Sequence, residues 1–178
     1  MINGLPAHVL FVHVLVVLAP LAALLEIACA LWPAVRRGQL VWFTLILAIV
    51  TTVATPITTH AGEWLYDLRR NPAPVLREHA ERGDTMIYFS VALLVVAIAL
   101  VALHVVEQRT DQRRALTNMI VAVLALAVGV SSIIQIYRIG DAGARSAWAH
   151  EISLEIGAVA TLPSPKRTCV RNGWRSVA

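Results

Sequence analysis

Apolar residues gather into four runs, at 9–32, 40–57, 85–106 and 115–137, and the charges collect in the segments between them. Each run has about 18 to 24 residues, enough to cross a hydrocarbon layer of roughly 30 Å at about 1.5 Å per helical residue. Their only Asp, Glu, His, Lys or Arg side chains are His13, Glu26 and His104. The pattern predicts transmembrane helices at about 9–32, 40–59, 85–106 and 115–137. Lipid offers no partner for exposed backbone, so the chain is read as all-α: an integral membrane four-helix bundle, up-down-up-down.

Composition agrees, with 58% apolar and 15% charged residues against about 25% charged in soluble domains. The short connections at 33–39 and 107–114 carry Arg36, Arg37, Arg109, Arg113 and Arg114, whereas the long connection at 60–84 balances four arginines against five acids. Basic density therefore assigns the short loops to the cytoplasm and both termini to the outer side. The net charge of +4 resides in loops and tail without a nucleic-acid motif, so the expected partner is the lipid bilayer and not nucleic acid. Ala28-Cys29-Ala30 has the look of a signal cleavage site, but residues 1–10 lack Lys and Arg and the run is too long for an h-region. The first run is expected to stay as an anchor. Cys29 and Cys169 fall at opposite ends of this topology, so no disulfide is implied.

In that orientation His8, His13, His60, His79 and His150 gather toward the outer side, with only His104 near the inner one. Thr52, Thr55 and Thr59 on the second run, and Ser131, Gln135 and Arg138 on the fourth, form polar stripes climbing the same way. Such stripes serve either helix packing or a polar cavity opening outward. Pro74 is placed to open a helix running toward the third span. Gly140 and Gly143 bracket Asp141 and are expected to break the fourth helix, letting a loop fold over the bundle mouth. Residues 1–150 are thus read as the membrane domain and 151–178 as a poorly ordered outer tail.

Four patches, "HVLFVH" (8–13), "TPITTHAGEWL" (55–65), "EHAERGD" (78–84) and "RIGDAGARSAW" (138–148), occur in an order that resembles DUF2231, a family of bacterial membrane proteins known as a domain of unknown function. The resemblance covers roughly residues 4–148. It implies a bacterial plasma-membrane location and, through related architectures joined to iron–sulfur or cytochrome modules, work beside respiratory or other redox membrane proteins. Val9 departs from the family, which tends to have Pro after the first histidine, and the chain beyond about 155 resembles nothing in it.

Two cofactors suit these histidines. A b-type haem needs two imidazoles from facing helices, and His13 with His60 is the best pair by placement. A zinc or copper ion accepts imidazole and carboxylate together, which His13, His60, Glu63 and His79 would supply, with Asp141, Gln135 and Arg138 as supporting residues. The rival reading is a structural or scaffold membrane protein without cofactor. Glu26 is either an interfacial or hydrogen-bonded carboxyl or part of a proton relay, and His104 with Glu107 reads as an interfacial pair. No nucleophile elbow, phosphate loop or Cys–His arrangement is evident. The preferred reading is a haem- or metal-binding accessory component of a membrane redox system, its site at the outer face, more accessory than enzyme and open to homo-oligomerisation.

Overall fold

A computed structural model describes residues 7–67, 74–109 and 115–160 of the chain, which divides into two compact units, Met1–Ser146 and Ala147–Ala178. Six helices follow in order: α1 (Ala7–Leu31), α2 (Pro33–Arg36), α3 (Leu40–Asp67), α4 (Pro74–Asp84), α5 (Met86–Arg109) and α6 (Ala115–Ala160). Four stretches are long and apolar enough to cross a membrane: Phe11–Leu31, Leu40–Trp64, Pro74–Arg109 and Ala115–Ser146. The protein is an all-α integral membrane four-helix bundle, up-down-up-down.

Its polarity is inverted relative to a soluble bundle. Val17, Leu24, Ile46, Val53, Val95 and Val123 are exposed, whereas Glu26, Thr44, Thr51, Thr55, Ser90 and Ser132 are buried. Water would expel that surface, and lipid accepts it. The interior is built from small residues, with Ala19, Ala22, Ala23, Ala48, Ala97 and Ala125 all at or near complete burial, so that helices approach closely. α1 packs on α3 and α5, and α3 packs on α5. α6 joins them through Val121 and Ala125, which share a core with Cys29, Val41 and Leu100, and through Ile136 against Ala19 and Met86. At Gly129 a Cβ would lie 2.8 Å from Ile27 Cδ1, so glycine lets α6 approach α1 here without displacing that side chain.

The buried hydroxyl stripe of α3 is Thr44, Thr51, Thr55 and Thr58, in place of the expected Thr52, Thr55 and Thr59. Each of its hydroxyls donates to the carbonyl four residues back, at 2.7 to 2.8 Å. Thr52 spans two helices, donating to Ala48 O at 2.8 Å and Ser90 O at 3.0 Å. The stripe is thereby satisfied within the helix, and its polarity serves packing.

At the other elements one expectation holds and one changes. Pro74 opens α4 as anticipated, and Thr85 alone separates α4 from α5, its hydroxyl donating to Arg82 O at 2.7 Å. The expected break at Gly140 and Gly143 does not occur, because α6 continues through both. A helical glycine costs only about 1 kcal/mol relative to alanine, and Gly143 meets the His79 ring, where a Cβ would lie 3.0 Å from Cε1. It is a packing glycine and not a helix terminator. Nothing within 4 Å explains Gly140. Of the expected tail, 161–178 lies outside the described residues, as does Cys169.

Candidate functional site

α3 carries its helix past the apolar stretch to Asp67, which places His60 and Glu63 one turn apart on an exposed surface. His60 Nδ1 lies 3.2 Å from Glu63 Oε2, with the side chains 90% and 58% exposed. The spacing permits an ion pair when the imidazole is protonated. It also matches two ligands of one tetrahedral cation, because bonds of about 2.0 to 2.1 Å hold their donor atoms roughly 3.3 Å apart.

A second group ties the α4–α5 junction to α6. His79 Nδ1 is 3.0 Å from the Ile139 carbonyl, a contact in which the ring nitrogen donates. Gln135 Nε2 donates to Thr85 Oγ1 at 2.7 Å and to Arg82 O at 3.2 Å. Arg82 in turn donates to Arg138 O at 3.4 Å and pairs with Glu78 at 2.5 Å. Asp141, on the same stretch of α6, is bonded by Arg145. Of the residues expected to support a site, the structure thus gathers His79, Gln135 and Arg138 around the junction, Arg138 through its backbone. Asp141 follows on α6 with its own partner.

His13 stands on α1 with an exposed side chain. His60 is bonded within its own helix. Among the described residues, no three His, Cys, Asp or Glu side chains are grouped to hold a metal ion. The side chains of His8 and His150 lie outside the described residues.

The opposite end holds what the sequence concealed. Arg36, read as a topological charge, is wholly buried. It donates to Glu107 through Nη2 at 2.5 Å and Nε at 3.3 Å, to Asn118 Oδ1 at 3.3 Å and to Cys29 O at 3.2 Å. Glu107 therefore pairs with Arg36 and not with His104, as expected from i,i+3 spacing. His104 is bonded to Gln108 at 3.0 Å and meets Trp42 edge-on at 6.4 Å. The available signal was positional, since Arg36 and Glu107 both sit just beyond the ends of apolar runs on the same side.

Four apolar spans around a polar interior define an integral membrane bundle. The chain belongs to the DUF2231 family, described as a predicted membrane protein, whose model matches residues 4–155. No curated protein and no solved structure matches it.

Proposed function

We propose that this protein is an accessory component of a redox system in a bacterial plasma membrane, binding a zinc or copper ion at the end of the bundle that carries His60. His60 and Glu63 are its first two ligands, and His13 and His79 are the further candidates from this chain. The observation that carries this reading is the 3.2 Å separation of His60 Nδ1 and Glu63 Oε2 on one rigid helix, the spacing a shared cation requires. Two ligands do not close a structural zinc site, so His13 or His79, or a second copy or neighbouring membrane protein at this exposed surface, completes it. The positive-inside distribution of arginines supports placing this end outside the cell.

A b-type haem between His13 and His60 is the competing cofactor, but both side chains are exposed on the isolated chain, which favours an ion at an interface. The full chain, purified in mild detergent, is tested by elemental analysis and absorption spectroscopy before and after zinc, copper or haem is offered. Retained zinc or copper that is lost in His60→Ala and Glu63→Gln bears the proposal out. A haem spectrum dependent on His13 and His60 replaces the ion with haem. A colourless, metal-free protein that takes up none of them defeats both and leaves a scaffold without cofactor.

A further inference from the structure

Glu26 is fully buried, and neither carboxyl oxygen has a hydrogen-bond partner. Buried polar atoms are nearly always satisfied, and an intramembrane ionisable side chain is costly. Its face of α1 is lined by Ala19, Ala22 and Ala23 on one side and by Cys29 and Ala30 on the other, all buried. Among the described residues no counter-ion is bonded to it. Residues 40–59 of α3, 89–103 of α5 and 116–135 of α6 contain no Asp, Glu, His, Lys or Arg. The buried cation, Arg36, is occupied by Glu107, Asn118 and Cys29 O. Among the described residues the other buried ionisable groups are Cys29 and His104, and His104 Nδ1 is itself orphaned, as is Ser132 Oγ on α6. Three side chains with orphaned polar atoms in one small bundle mark an interior that water or an ion reaches.

Polar groups lie between the Glu26 face of α1 and the short-loop end. Cys29 is one turn further along α1, its Sγ 3.8 Å from Thr44 Oγ1. Arg36 Nη1 bonds the Cys29 carbonyl, and Arg36 reaches Glu107, which is 12% exposed. We infer that Glu26 is a proton-binding site in the bundle interior, exchanging its proton with water that enters from the short-loop end. The carboxylate takes up one proton to become the neutral acid and releases that proton on ionising, with no other co-reactant. This inference is independent of an ion at His60 and Glu63, at the other end of the bundle.

The test treats the full chain in detergent with dicyclohexylcarbodiimide, an apolar reagent that modifies protonated carboxyls, and maps the adduct by tandem mass spectrometry. Labelling is expected at Glu26, falling about tenfold per pH unit above its titration point because the rate follows the protonated fraction. Glu26→Gln should carry no label in α1. In parallel, the wild-type infrared spectrum should show a carboxylic acid C=O band that shifts in heavy water and disappears in Glu26→Gln. If that variant does not fold, the mapped wild-type label and the heavy-water shift decide alone. Labelling that is absent or indifferent to pH, or a band that does not exchange, overturns the inference. Protection by sodium at constant pH also overturns it, making the ligand a metal cation.

Discussion

The two ends of the bundle treat their charges in opposite ways. At the short-loop end Arg36 is withdrawn from solvent and each of its three guanidinium nitrogens donates, to a carboxylate, an amide or a backbone carbonyl. At the other end His60 with Glu63, Arg77 with Glu81, and Asp141 with Arg145 form pairs one turn apart on their own helices, at the surface. The closed end joins three elements, α1, α5 and α6, through one side chain on α2. The ion pairs of the open end join residues that the helix already holds together. A charge that bridges elements contributes to the fold, whereas one that bridges a single turn is available to something outside the chain.

The largest expected effect of breaking this contrast is at Arg36. Arg36→Leu leaves Glu107 without its bidentate partner and Cys29 O without its donor, and removing one member of a buried pair typically costs about 3 to 5 kcal/mol. Thermal unfolding in detergent should show a large fall in the midpoint. Replacing both charges, in Arg36→Leu with Glu107→Leu, should recover part of the loss because no uncompensated charge remains. A single variant as stable as wild type would mean that the closed end is closed in appearance only.

How far the sequence disclosed each end follows from the same difference. The four spans were legible because lipid imposes one long apolar run per crossing, and the α4 start was legible because Pro74 fits the first turn. The inward faces were not: Thr52 and Thr59 are as plausible as Thr51 and Thr58 until helix rotation is fixed by packing, and only the latter are buried. The link between Arg36 and Glu107 spans 71 positions, which no local spacing rule reaches. The pair His60 and Glu63 was legible because i,i+3 contact is a property of the helix itself. Sequence therefore disclosed the open end better than the closed one, for the reason that local pairs can be read locally.

Glycine sharpens the comparison within α6. Gly143 and Gly140 lie one turn apart, and both looked like helix breakers, yet a Cβ at Gly143 meets the His79 ring at 3.0 Å while Gly140 has nothing within 4 Å. Gly143→Val should displace His79 from Ile139 O and destabilise by about 1 to 3 kcal/mol, as overpacking does. Gly140→Ala should stabilise by about 0.5 to 1 kcal/mol through lower unfolded-state entropy at a helical position. Thermal midpoints moving in opposite directions are the expected result. Equal shifts would show that the contact between α4 and α6 contributes nothing.

The smallest effect belongs to the pair on the exposed stretch of α6. Asp141 lies four residues before Arg145, the favourable order along a helix, but Arg145 is 66% exposed and water screens most of what the pair offers. Its side chain binds no other element by any hydrogen bond described, so Arg145→Ala removes one intrahelical bond and puts alanine, the best helix former, in its place. The unfolding midpoint should therefore stay where it is, at low and at high salt alike. The same measurement on Arg36→Leu supplies the scale. If Arg145→Ala instead lowered the midpoint as Arg36→Leu is expected to, the surface pairs of the open end would be structural, and their availability to an ion or a neighbouring protein would lose its physical basis.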